Sequence, residues 1–102
     1  MLAVLHQRLD DIGALCRRFG VARLDLFGSA ARGDFDPARS DLDFLVAFTP
    51  EARSRAFDNY FGLREGLEAL LGRKIDLVTD GQLRNPYLAS EIEATRRVLY
   101  SA

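Results

Sequence analysis

The chain has 102 residues, 48% of them apolar, with 14 basic against 15 acidic side chains. That length fits one domain with a modest core, residues 1–102 taken together, and the near-zero balance excludes the overall positive field of a protein that grips nucleic acid along its whole surface. A single cysteine, Cys16, excludes an internal disulfide and a thiolate zinc centre; Met1–Leu9 lacks the continuous apolar stretch of a signal peptide, no run reaches membrane-spanning length, and cytoplasm is the expected compartment.

Leu2, Leu5, Leu9, Ile12, Leu15 and Phe19 recur every three or four residues, which predicts an amphipathic helix that stops at Gly20. Cys16 lies beside that stripe as a packing residue, and His6 lies off it in solvent. Val21–Phe27 is short and apolar and reads as a strand running into Gly28-Ser29. Ala30–Arg32 fits one turn of helix, and Gly33–Ser40, with its glycine, aspartates and Pro37, fits a loop. Asp41–Phe48 alternates: Leu42, Phe44, Val46 and Phe48 share one face, and Asp41, Asp43, Leu45 and Ala47 the other. Thr49-Pro50 predicts the capped start of a long helix with the stripe Ala56, Tyr60, Leu63, Leu67 and Leu70-Leu71, ended by Gly72. Gly62 and Gly66 weaken this helix by about 1 kcal/mol each, so tertiary packing has to hold it. Lys74–Thr79 is a third strand, with Asp76 and Val78 opposite Ile75 and Leu77. Asp80-Gly81 is a turn, Asn85-Pro86 caps a helix to about Thr95, and Arg97–Tyr100 fits a short extended tail. The order predicts an α/β fold, a small mixed sheet of three to four strands flanked by helices.

Three features of this pattern carry chemistry. Gly28-Ser29 ends a strand and opens a helical turn; glycine lets backbone amides approach a phosphate, a helix start presents unpaired N–H groups, and Ser29 and Arg32 add donors. Alone, the pair is read first as a turn glycine with an exposed serine and arginine. Asp41 and Asp43 are two residues apart on a strand and project from one face; alone they read equally as two solvated acids at a strand end or as a pair whose repulsion is relieved by a hard cation such as Mg²⁺. Asp76 interrupts an apolar strand; if that strand lies beside the second, three carboxylates meet in the pattern of a two-metal site.

Taken in order, Phe27-Gly28-Ser29-Ala30-Ala31-Arg32-Gly33, Ser40-Asp41-Leu42-Asp43-Phe44-Leu45-Val46 and Lys74-Ile75-Asp76-Leu77-Val78 resemble the nucleotidyltransferase superfamily that includes DNA polymerase beta. More narrowly they resemble its minimal members, the antitoxins of two-gene modules with HEPN-domain toxins. The resemblance implies a small nucleotidyltransferase fold. It implies that Gly28 and Ser29 hold the β- and γ-phosphates of ATP, with Arg32 supporting that loop or touching the triphosphate. It further implies that Asp41, Asp43 and Asp76 ligate two Mg²⁺ ions, with Asp76 also helping to activate the acceptor hydroxyl. The expected reaction moves AMP onto a hydroxyl of an acceptor, a tyrosine of the HEPN RNase partner, and silences it.

Two other readings compete. The domain could neutralise a toxin by covering it, with Tyr87, Leu88, Leu99 and Tyr100 as apolar contacts, though binding alone needs no three clustered acids. It could instead modify a small molecule such as an aminoglycoside, but enzymes of that kind carry a further helical domain. Arg17-Arg18, Arg53, Arg55 and Arg96-Arg97 are read as solvated helix faces, so neither direct nucleic-acid binding nor membrane association is expected; a homo-oligomer or a hetero-complex is compatible with the sequence.

Overall fold

The structure is a computed structural model that describes every residue except Met1, Leu2, Pro37, Arg39 and the side chain of Gln82. The expectations for Leu2 and for Pro37 lie outside the described residues. Helix α1 spans Ala3–Gln7 and α2 Leu9–Arg18; β1 is Val21–Phe27, α3 Ser29–Arg32 and β2 Leu42–Phe48. A 3-10 turn over Glu51–Arg55 leads into α4, Ala56–Leu71, followed by β3, Ile75–Thr79, and a second 3-10 turn, Asp80–Gln82. Helix α5 covers Pro86–Thr95 and β4 Arg97–Ser101.

The four strands form one sheet in the order β3-β2-β1-β4. β1 runs antiparallel to both β2 and β4, while β2 and β3 are parallel, because α4 carries the chain back across the sheet between them. The mixed sheet flanked by helices is the expected architecture, and the extended tail is its fourth strand, β4.

The alternation of β2 decides which side is which. Leu42, Phe44 and Val46 are fully buried in the main core with Leu5, Ile12, Cys16, Leu63 and Leu67, beneath α2 and α4. On the opposite face Phe27, Leu45, Val78 and Ile92 form a smaller cluster with Leu83 and Leu88, beneath α5. Cys16 packs as the stripe implies, and burial pushes its thiol up to about 12, far from a reactive thiolate. His6 is exposed, as expected.

Two helices depart from the sequence pattern. The first stripe is interrupted at Arg8, whose amide bonds the Leu5 carbonyl in a tight turn at 3.1 Å before α2 begins. The helix after Thr49-Pro50 starts as a 3-10 turn because Thr49 is tied to the end of the central β1–β2 pair, its amide donating to the Gly20 carbonyl at 2.9 Å. Thr49 still caps the turn, its Oγ1 accepting from the Ala52 amide at 3.3 Å. Asn59 Nδ2 then donates to the Ala52 carbonyl at 2.9 Å and satisfies a group the regular helix would have paired. Ala56 is consequently exposed and Ala52 takes the buried place.

Gly62 and Gly66 have a packing purpose. A Cβ on Gly62 would lie 2.4 Å from Phe19 Cε1, and one on Gly66 2.8 Å from Leu15 Cδ2. Their absence lets α2 and α4 approach. Gly62→Ala is therefore expected to destabilise the protein by about 1–3 kcal/mol through overpacking, despite a helix-propensity gain of about 1 kcal/mol. Chemical denaturation checks this; a stabilised variant would mean that Phe19 moves aside freely.

Candidate functional site

The site forms at one end of the sheet, where β1 stops and β2 and β3 begin. The parallel register sets Asp43 opposite Asp76, and the antiparallel register sets Phe27 opposite Asp43. Parity puts both acids on the α5 face. The two carboxyl groups lie within hydrogen-bonding reach of each other. Asp43 is half-buried, Asp76 is exposed, and Asp41 stands just before β2, also partly buried. Burial pushes the Asp43 carboxyl up to about 6, with repulsion from Asp76, Glu91 and Asp41 adding to it. Among the described residues no three His, Cys, Asp or Glu side chains converge on one point as metal ligands. The convergence is pairwise, Asp43 on Asp76, with Asp41 and Glu91 close enough to repel.

Gly28 follows immediately after β1 with φ 75° and ψ −149°, a region open essentially to glycine alone. A Cβ there would sit 2.5 Å from Asp43 Oδ2, so the glycine loop and the acids occupy the same space. The chain then enters α3. Its carbonyls at Gly28 and Ser29 accept the amides of Ala31, Arg32, Gly33 and Asp34, which leaves the Ser29 and Ala30 amides in the unpaired first turn. Gly28's own amide is occupied: it donates to Thr95 Oγ1 at 3.0 Å. The donors this loop can offer an anion are thus the Ser29 and Ala30 amides and the Ser29 hydroxyl.

Arg32 is near this loop but is already engaged. Its Nη1 pairs with Glu91 Oε1 at 3.0 Å and its Nε with Asp34 Oδ2 at 3.3 Å. Both bonds hold the guanidinium protonated, the Glu91 bond foremost.

Three residues outside the sequence motifs shape the site, and all involve α5. Glu91 binds Arg32, Thr95 binds Gly28, and Arg96 donates through Nε to Asp25 Oδ2 at 2.8 Å. Asp25 is fully buried on β1 and also accepts from Arg23 Nε at 2.9 Å. Arg96 is therefore a structural anchor and not the solvated residue its Arg-Arg setting suggests, because a buried carboxylate requires a paired cation. Periodicity gives no hint of these links, each of which joins α5 to residues at least 59 positions earlier.

Comparison with known proteins agrees with this arrangement. The family model of the nucleotidyltransferase domain matches residues 12–99. A protein of Methanocaldococcus jannaschii, provisionally named a protein adenylyltransferase, is 41% identical over 76 residues, which is 74% of each chain. Among solved structures, one described as a candidate minimal nucleotidyltransferase superposes with a TM-score of 0.75 at 35% identity, covering 91% of this chain and 90% of its own. The MNT antitoxin structure solved in complex with a tri-AMPylated Shewanella oneidensis HEPN toxin shares the fold, with a TM-score of 0.59 at 19% identity over 96% of this chain and 73% of its own. With the strand order, the glycine turn and the facing aspartates in one place, the chain belongs to the nucleotidyltransferase domain family and is an enzyme of the nucleotidyltransferase class.

Proposed function

We propose that this protein is a magnesium-dependent protein adenylyltransferase that moves AMP from ATP onto a tyrosine hydroxyl of a HEPN-type RNase toxin and so acts as its antitoxin. The observation that carries the reading is the pairing of Asp43 with Asp76 directly beside Gly28. Burial and neighbouring acids drive the Asp43 carboxyl toward protonation, so a cation between it and Asp76 relieves the site most, and an all-oxygen donor set suits a hard one. Magnesium held by Asp43 and Asp76, with Asp41 drawn in from its place just before β2, would neutralise charge on the triphosphate and lower the pKa of the attacking hydroxyl.

The chain's own groups do the rest. The Ser29 and Ala30 amides and the Ser29 hydroxyl orient the terminal phosphates at the start of α3. Gly28 keeps the backbone low enough for the phosphates to reach the carboxylates. Asp76, the more exposed member of the pair, takes the proton of the acceptor hydroxyl in this reading. The hydroxyl oxygen bonds to the α-phosphorus, the bond from that phosphorus to the bridging oxygen breaks, and pyrophosphate leaves. Positioning and charge neutralisation supply most of the acceleration. The partner assignment is supported by the relative named for protein adenylylation and by the sequence resemblance to antitoxins of HEPN modules.

The test is label transfer. The protein is incubated with Mg²⁺, each α-labelled nucleoside triphosphate in turn, and the protein encoded beside it. Label from ATP alone on that partner, absent with an Asp41→Asn/Asp43→Asn double variant, is the expected result. No label on any acceptor, with toxin inhibition intact in the variant, would favour an antitoxin that acts by binding.

A further inference from the structure

We propose that Thr95 is a positioning residue for the phosphate loop: its hydroxyl fixes the peptide at Gly28 so that the amides of Ser29 and Ala30, and not that of Gly28, face the nucleotide. This rests on the nucleotide-binding reading of the loop. Gly28 lies between the last residue of β1 and the first of α3, in a conformation that belongs to neither, so its amide makes no strand or helix bond. An added Cβ at Gly28 would lie 2.5 Å from Asp43 Oδ2, so a carboxylate oxygen stands close to the glycine as an alternative acceptor for a freed amide. The Thr95 hydroxyl removes that alternative.

The hydroxyl is itself held on both sides. Its proton is given to the Glu91 carbonyl one turn earlier, at 2.7 Å, so its lone pairs are turned outward to receive the Gly28 amide at 3.0 Å. Ile92, fully buried beneath the same helix, seats α5 on the sheet. The next residue, Arg96, is bonded to the buried Asp25 of β1, the strand that leads into Gly28. Strand and helix are thus joined on either side of the Thr95–Gly28 bond. Glu91, one turn back, holds Arg32 at the far end of α3. Helix α5 therefore grips the phosphate loop at its first and last residues, and Thr95 is the grip on the strained one.

The experiment uses the whole chain with Thr95→Val, which keeps the shape and removes the hydroxyl, and Thr95→Ser, which keeps the hydroxyl. Amide exchange at Gly28 is followed by NMR without nucleotide, against the core amide of Phe44 as a reference for global opening. KM for ATP and kcat are then measured by label transfer. In Thr95→Val, Gly28 exchange and KM are both expected to rise about three- to tenfold, the range of one neutral hydrogen bond, with kcat changing less and Phe44 unaffected. Thr95→Ser is expected to match the native chain in all readouts. Unchanged Gly28 exchange and KM in Thr95→Val, or a Thr95→Ser chain as impaired as Thr95→Val, would overturn the proposal. Faster Gly28 exchange in a chain whose native form binds no nucleotide overturns it through its premise, and identifies the nucleotide reading as the part that failed.

Discussion

Asp43→Asn is expected to abolish nucleotidyl transfer and, in the absence of metal, to make the protein more stable at pH 7. The loss of activity should be on the order of a thousandfold or more in kcat, because in the proposed mechanism Asp43 is a charged oxygen ligand of the metal. The gain in stability follows from linkage. The Asp43 carboxyl sits at about 6 in the folded chain, raised from an ordinary value of 3.8 by burial and by neighbouring acids. Between those values the folded state binds the proton more tightly than the unfolded one, so folding stability falls as pH rises through that window. The cost is absent below the ordinary value and complete above about 6. For a fully enclosed group a shift of this size corresponds to ~3 kcal/mol; half-exposure reduces it to about 1 kcal/mol. Thermal denaturation of both chains without metal should therefore show Asp43→Asn melting higher at pH 7.5, the difference shrinking to nothing near pH 4. With Mg²⁺ and ATP the order should reverse, since only the native chain gains from the ligand. A variant that melts lower at pH 7.5 without metal would mean that Asp43 stabilises the fold and is not held there for a cation.

Much of this site was legible because its acids interrupt a period-two pattern. Asp41, just before β2, and Asp43 within it break the apolar pattern on one face, and Asp76 breaks it on β3; the parallel pairing then brings Asp43 and Asp76 into register. The Gly28-Ser29 turn was legible for the same local reason. The contribution of α5 was not. Glu91, Thr95 and Arg96 have the look of ordinary helix surface, and their roles exist only because α5 lies across the sheet and meets Arg32, Gly28 and Asp25. Asp25 itself passes as one polar position in the first strand until its burial is seen. Local pattern likewise marks Thr49 as a cap but not the tie to Gly20 that tightens the following residues into a 3-10 turn. It counts Gly62 and Gly66 as helix weaknesses, whereas the approach of Phe19 and Leu15 makes them a packing requirement.

Gly28→Ala should be the most damaging single-atom enlargement at the site, and comparison with Gly33→Ala separates its causes. Both glycines have positive φ, 75° and 92°. Gly33 adopts the ordinary left-handed conformation with ψ 8°, and an added Cβ meets nothing within 4 Å, so alanine there costs about 1 kcal/mol of backbone strain. Gly28 combines a conformation nearly closed to other residues, at about 1–3 kcal/mol, with a Cβ 2.5 Å from Asp43 Oδ2. The sum, about 2–4 kcal/mol, corresponds to a fall in Tm on the order of 10–20 °C for a domain of this size. Gly33→Ala should lose about 5 °C and keep activity. The clash also displaces the carboxylate, so Gly28→Ala should lose ATP binding even at temperatures where it is folded. A cycle with Asp43→Ala isolates the contact: measured against the Asp43→Ala chain, Gly28→Ala should cost only the backbone strain, and activity should stay lost. If Gly28→Ala and Gly33→Ala melt together, the close approach of Gly28 to Asp43 is wrong, and with it the placement of the glycine turn against the acid pair.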